Sequence, residues 1–241
     1  MRSRNSGTSL ISLSIVIMTL AACREAPAQL AREPQQASAS PTALQVDLET
    51  SRVYVKVGSS RRLGHEHAVE GRLSSGKLEL GGGGDLAFDM RSFVADAPDA
   101  RTYVRLKGNV SASDQQKVTA TMLGDQVLGV GQFPQATYKI SAAKPADGQA
   151  PGAPGRYKLD GQFTLHGATH PLSFMATVER NATSGAVEMR GSFAIDQSHF
   201  GIRPYTAVAG LVGVADRLEI WGDLRLRSVD QNTRAPSGKQ E

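Results

Sequence analysis

Apolar and polar residues alternate strictly along most of the chain between Ala43 and Ser228. The stretch 157–165 places an apolar or small residue at every second position, with polar residues between them. Because successive side chains of a β-strand point to opposite faces, this pattern predicts a strand with one buried face. The alternation recurs, over longer or shorter runs, in the stretches 53–57, 78–80, 86–90, 172–178, 187–195 and 218–226.

The connections between these stretches are short and favour antiparallel hairpins, since parallel pairing would need helical crossovers of a dozen or more residues. One helix is expected, with Ser113 as its N-cap, Val118 and Met122 one turn apart, and Gly124 just past its end. We therefore predict an all-β fold, a single antiparallel up-and-down β-barrel of about eight strands with one short helix. The alternation leaves open whether side chains fill the barrel or surround a small ligand cavity.

The first residues have the pattern of a targeting segment rather than of a folded domain. Arg2 and Arg4 give a positive start, and an apolar run extends from Leu10 to Leu20. As a helix, these roughly eleven residues would span about 16 Å, short of the roughly 30 Å hydrocarbon core of a bilayer, which is typical of a signal peptide. The run ends in Leu20-Ala21-Ala22-Cys23, which resembles the lipobox of bacterial lipoproteins.

The lipobox resemblance implies cleavage before Cys23 and a diacylglycerol on its sulfur, an anchor that holds a protein stably on a membrane. We predict a lipoprotein signal peptide over residues 1–22, an acylated Cys23 with a flexible linker over 23–43, a barrel domain over 44–228 and a disordered tail over 229–241. Arg24 follows the cysteine where Asp would retain an enterobacterial lipoprotein in the inner membrane. The expected location is the periplasmic face of the cell envelope, at the outer membrane rather than the inner.

Composition narrows the range of functions. The 241 residues include one Cys, so an intrachain disulfide and a cysteine-based metal cage are both excluded. The net charge of +4 is modest, and the Lys and Arg residues are scattered among acids, whereas nucleic-acid binding normally needs a basic stripe. No Ser stands in a nucleophile-elbow context. We expect no nucleic-acid partner.

Two motifs in the body of the chain are specific enough to suggest a family. One is the hairpin sequence GQFTLHGATHPL of residues 161–172, and the other is the closing pair HFGI at 199–202 and VADRLEI at 214–220. Weaker matches lie at 46–53, 65–73 and 132–138. Together these stretches resemble the YceI-like family, the polyisoprenoid-binding, lipocalin-like β-barrels of the bacterial envelope, over nearly the whole body of the chain.

The resemblance implies a barrel with an internal apolar tunnel, a carried amphiphile, no catalysis and no cofactor. The expected cargo is an isoprenoid, quinone-like or fatty-acyl lipid, because burying its tail removes apolar surface from water at about 25 cal/mol per Å². The function expected is therefore that of a membrane-tethered lipid carrier. Its tunnel lining is expected from the inward-facing residues of the predicted strands: Val55, Phe88, Phe163, Phe174, Met189, Phe193 and Ile220.

The polar candidates are His65, His67 and Arg203, which we expect to hold the head group of the ligand, since Arg binds phosphate and carboxylate oxygens bidentately. Two His at i and i+2 of an extended segment also lie on one side, where they could share a metal ion. A metal-dependent enzyme built on this pair is thus one alternative, although our prediction is that no metal is bound. Its third ligand would come from His166, His170 or His199. A filled barrel that acts as an envelope scaffold is the other alternative.

Overall fold

The computed structural model of the chain describes residues 43–60, 64–181, 183 and 185–228. The predicted signal peptide, Cys23, the linker up to residue 42 and the predicted tail lie outside the described residues. The strands are β1 (Ala43–Val46), β2 (Arg52–Ser59), β3 (His67–Glu79), β4 (Gly84–Ala95), β5 (Gln135–Pro145), β6 (Gly155–Leu165), β7 (Ala168–Arg180), β8 (Val187–Asp196), β9 (Thr206–Ala207) and β10 (Val212–Ser228). The helices are α1 (Pro98–Tyr103) and α2 (Ala112–Leu123), a 3-10 turn covers Gln197–Phe200, and Val208–Gly210 forms a tight turn with positive φ values.

Eight strand positions close into an antiparallel barrel in the order β2-β3-β4-β5-β6-β7-β8-β10, and β10 pairs back with β2. Strand β1 shares a position with β2, because both lie between β10 and β3. The tightest connection is the two-residue turn His166-Gly167 between β6 and β7, where both residues have the positive φ that a type I′ hairpin turn requires. The predicted closed antiparallel barrel is confirmed.

The two ends of the barrel interior are packed differently. At the end that holds the β3–β4, β5–β6 and β7–β8 turns, the interior side chains are fully buried and interlock into a solid core. Each is at most 2% exposed: Leu44, Leu78, Leu80, Tyr157, Leu159, Val187 and Leu226. The opposite end carries both helices and surrounds open space.

The helices differ from the prediction of a single helix capped by Ser113. The N-cap of α2 is Ser111, whose side chain accepts a hydrogen bond from the backbone N–H of Asp114 at 3.1 Å. Ser113 lies inside the helix. Ser111 takes the N-cap position because it stands three residues before Asp114, whose backbone N–H needs a partner outside the helix. The extra helix α1 has six residues, with Pro98 in its first turn, and is too short to show a helical period.

Helix α1 covers the outer face of the barrel instead of its interior. Ala100 and Val104 pack with Ala68 of β3 in a small cluster that is separate from the main core. Trp221 of β10 lies against the same cluster. The polar-patterned side of β10 is therefore partly buried here, under the helix.

A bulge in β4 shifts which residues face inward. The pairs Glu70–Val94 and Arg72–Asp89 are successive steps in the ladder, so β4 holds extra residues between them. The Ser92 hydroxyl accepts the hydrogen bond of the Arg72 N–H at 2.9 Å, which satisfies a donor that the bulge would otherwise leave unpaired. Inward positions continue as Phe93 and Ala95 beyond the bulge, out of phase with the start of the strand.

Candidate ligand-binding cavity

An apolar cavity of about 340 Å³ occupies the helical end of the barrel. Its wall includes all seven residues that the sequence pattern placed in the tunnel: Val55, Phe88, Phe163, Phe174, Met189, Phe193 and Ile220. Whether these residues contact a lipid stays a prediction. The volume falls within the range of about 300–1,000 Å³ that small-molecule sites usually have.

The phenylalanines of the wall form a connected aromatic surface. Phe163 contacts Phe88 and Phe193 edge to face, with ring centroids 6.5 and 5.9 Å apart. Phe174 and Phe193 lie 4.9 Å apart in a tilted arrangement. Phe88, Phe174 and Phe193 are only partly buried although they project from the strands into the barrel, because part of each ring borders the cavity. A ligand would therefore cover aromatic surface that the protein itself leaves open.

Glycines in the strands make room for two of these rings. A Cβ on Gly191 would lie 2.8 Å from the Phe174 ring, and a Cβ on Gly71 would lie 2.3 Å from the ring of Phe93. Both distances are below any real carbon contact, so each ring rests directly on a strand backbone. This close approach keeps the rings against the wall and leaves the centre of the barrel open.

Helix α2 forms the roof, a part of the site that strand alternation does not predict. Val118 and Met122 line the cavity from one face of the helix, as their four-residue spacing allows, and Thr121 joins them. Lys117 also lines the cavity, and its side chain is 74% exposed, so the cavity meets solvent beside this cation. The helical spacing of Val118 and Met122 was visible in the sequence, but not the place where the helix packs.

His67 is held at the cavity wall by a buried carboxylate. Its Nδ1 lies 2.7 Å from Oδ2 of Asp96, whose side chain has no solvent exposure. The other oxygen, Oδ1, accepts hydrogen bonds from the Ala68 N–H at 3.2 Å and from the Arg101 guanidinium at 2.8 Å. Burial raises the pKa of the Asp96 carboxyl, but the bonds from His67, Ala68 and Arg101 outweigh it and hold that pKa below its ordinary value.

The other two predicted head-group residues lie elsewhere. His65 and Arg203 are exposed, and neither lines the cavity. Of the three, the structure brings only His67 to the wall, together with Lys117, which the sequence did not single out. A head-group role for His65 and Arg203 stays a prediction.

The remaining histidines are engaged with the turn at 197–200. Nδ1 of His166 lies 3.3 Å from the carbonyl of Phe200, and Nε2 of His170 lies 2.9 Å from the carbonyl of His199. Across the described part of the chain, no three His, Cys, Asp or Glu side chains are placed to share a metal ion. The described structure thus offers no ligand set for the alternative of a metal-dependent enzyme.

In the segments that the structure describes, no helix is long and apolar enough to span a bilayer.

Comparison with known proteins places this barrel among solved structures. A polyisoprenoid binding domain from Saccharophagus degradans matches with a TM-score of 0.54 and 15% identity, over 78% of this chain and 99% of that one. BcnA from Burkholderia cenocepacia matches with a TM-score of 0.49 and 20% identity, over 75% and 98% of the two chains. With a TM-score above 0.5 and an identity of 15%, the first match shows a shared fold. No curated protein matched the chain.

The family comparison covers the whole barrel. The family model of the YceI-like domain matches residues 44–226, from β1 to within two residues of the end of β10. The specific hairpin at 161–172 and the closing motif at 214–220 both lie inside this range. The chain therefore belongs to the YceI-like domain family.

Proposed function

We propose that this protein binds the hydrocarbon chain of an isoprenoid, quinone-like or fatty-acyl lipid in the barrel cavity and carries it without chemical change. The observation that supports the proposal most directly is the cavity itself, about 340 Å³ of space walled by aliphatic and aromatic side chains inside a closed barrel. Burying a few hundred Å² of lipid tail there would contribute several kcal/mol at about 25 cal/mol per Å², before the costs of ordering the ligand. The polyisoprenoid binding domain that shares the fold makes an isoprenoid the first ligand to test.

The ends of the cavity suggest how such a ligand is oriented. The solid core at the other end of the barrel blocks passage through it, so the tail enters from the helical end and stops above Leu159. Lys117 and His67 supply the polar groups at the wall, and with Nδ1 of His67 bonded to Asp96, its Nε2 is the atom left to bond a head group. A phosphate or carboxylate head could replace Asp114, whose carboxylate forms an exposed ion pair with Lys117 at 3.5 Å.

The test compares two substitutions on one strand. Ala176 is buried on the cavity wall, and Thr177 is its exposed neighbour on the outer face of β7. Ala176→Leu adds carbon atoms to the ligand space. We expect it to weaken the binding of farnesyl or longer prenyl alcohols on the order of tenfold, measured by their displacement of a fluorescent fatty-acid probe. Thr177→Leu is the matched control and should bind as the natural chain does.

The native ligand is sought by mass spectrometry of an organic extract from the purified protein. A lipid present in stoichiometric amount would support carriage. An empty extract, together with no probe binding by the natural chain, would instead support a filled scaffold and overturn the proposal.

We further propose that Cys23 is acylated and tethers the barrel to the periplasmic face of the envelope, at the outer membrane. The lipobox-like sequence before this single cysteine supports the tether. Labelled palmitate should enter the natural chain and not the Cys23→Ser variant, and the label should sediment with outer-membrane fractions. Equal labelling of both chains would contradict the proposal.

A further inference from the structure

The β9–β10 hairpin carries the most exposed large apolar side chains of the described residues. Val208 is 67% exposed and Leu211 is 57% exposed, against 38% for Val94 and 36% for Leu48. Both lie in the tip of four residues, 208–211, because Ala207 of β9 pairs with Val212 of β10. These two side chains lie three positions apart in one exposed turn and form a small apolar patch.

The backbone of this tip adopts a conformation that its residues disfavour. Val208, Ala209 and Gly210 have φ values of +52°, +51° and +83°, all in the left-handed region. For a β-branched residue such as Val208 this conformation is a genuine outlier, and strained backbone of this kind clusters at binding sites and switches. The strain at the tip therefore points to a use for its exposed side chains.

The tip stands beside the rim of the cavity. Tyr205 and Val214 flank the hairpin on either side, and both line the cavity. The Val214 N–H donates to the Tyr205 carbonyl at 3.1 Å, which fixes the base of the hairpin to the rim. A surface that received the tip would therefore face the opening through which a ligand enters.

Charges of both signs lie near the tip, so they do not select a charged surface. From residue 200 to 215 the chain has one charged residue, the exposed Arg203. Lys117 at the rim is paired with Asp114, and Asp216 accepts hydrogen bonds from the hydroxyl and N–H of Ser198. The uncharged tip itself, with two exposed apolar side chains at the mouth of an apolar cavity, is what the interface of a bilayer would bind.

We propose that the tip 208–211 inserts into the interface of a phospholipid bilayer and sets the cavity rim against the membrane. This goes beyond the proposed carriage of lipid, which requires a cavity but no docking surface. A lipid tail would then pass between bilayer and cavity without crossing water.

The first experiment reads insertion at the tip itself. It uses the full chain carrying Cys23→Ser, which removes both the proposed acyl anchor and the native thiol. A polarity-sensitive fluorophore is attached to Ala209→Cys, or to Thr183→Cys in the exposed β7–β8 turn at the opposite end of the barrel. With vesicles of phosphatidylethanolamine and phosphatidylglycerol, emission from the label at 209 should shift to the blue and emission from the label at 183 should not.

The second experiment removes the apolar tip. Val208→Ser combined with Leu211→Ser should weaken vesicle binding on the order of tenfold, while the matched control Leu48→Ser, at the closed end, should not change it. Equal shifts at both labels, no shift with anionic vesicles, or unchanged binding by the double variant would overturn docking through the tip.

Fatty-acid probe binding without vesicles separates this proposal from the carrier function. The double variant should retain it, since its substitutions lie outside the cavity wall. If the natural chain bound no probe but still inserted into vesicles, carriage would be refuted and docking through the tip would be supported.

Discussion

Asp96 joins three parts of the molecule through one carboxylate. It follows β4, bonds His67 and the Ala68 N–H at the start of β3, and bonds Arg101 in α1. Because the side chain is fully buried, each of these bonds replaces water that the carboxylate has lost. Its left-handed backbone, with φ of +55°, is held by a bond from its own N–H to the Ala68 carbonyl. A single residue thus fixes both the cavity-facing imidazole and the helix outside the barrel.

Asp96→Asn should lower the free energy of unfolding by about 2–4 kcal/mol near neutral pH, because Arg101 and His67 lose a buried anionic partner. The pKa of Asp96 is lowered in the folded state, so its contribution is complete above the ordinary carboxyl pKa of 3.8 and is lost as pH falls through the lower folded value. Urea unfolding of both chains across pH 2–7 should therefore show the difference shrink at the acid end.

The matched control for Asp96 is Asp85→Asn. Asp85 is 58% exposed and lies 3.7 Å from Lys77, a surface pair whose loss should change stability by less than about 1 kcal/mol. If both variants lost the same free energy of unfolding, the buried hydrogen bonds of Asp96 would contribute no more to stability than an exposed ion pair.

At the scale of elements, α2 packs against the barrel through partly buried side chains. None of its residues is fully buried. Thr119 accepts a hydrogen bond from the Ala95 N–H at 3.0 Å, and Val118 and Met122 cover the cavity. A helix with so little burial depends on its own caps, and its opening would expose the cavity.

Ser111→Ala should make amide hydrogens of α2 exchange about fivefold faster, since loss of an N-cap costs typically about 1 kcal/mol. Ser113→Ala, two residues further on inside the helix, removes no cap and should leave exchange nearly unchanged. Hydrogen exchange measured by mass spectrometry over residues 112–123 distinguishes the two. Faster exchange in Ser113→Ala alone would show that Ser113, the N-cap expected from the sequence, caps α2.

Strand phase explains how far the sequence could predict these elements and the site. Strict alternation predicted the inward-facing positions of β6, β7 and β8, and Phe163, Phe174 and Met189 at those positions line the cavity. Phe93 was missed because the β4 bulge reverses the phase, and nothing in the local sequence marks the inserted residues as a bulge. Asp96 could not be foreseen, since its partners come from β3 and α1 through tertiary packing.

At the scale of the whole molecule, the barrel is half solid and half hollow. The alternation of apolar residues continues unchanged along β6, yet Leu159 lies in the packed core and Leu165 lines the cavity. Pattern alone reports which face is inward, whereas filling depends on side-chain volumes from all eight strand positions together. Sequence reasoning therefore reached the barrel but left its filling open.

The same substitution at these two leucines should measure the asymmetry. Leu159→Ala removes a fully buried side chain from close-packed neighbours and should cost about 3–5 kcal/mol, through lost transfer energy and the new void. Leu165 already borders empty space and lacks contacts on that side, so Leu165→Ala should cost less, about 2 kcal/mol. Urea unfolding gives both values, and probe displacement should change for Leu165→Ala alone. Equal stability losses, with no effect of either substitution on the probe, would mean that the helical end is as tightly filled as the other, and a lipid tail would have no place inside the barrel.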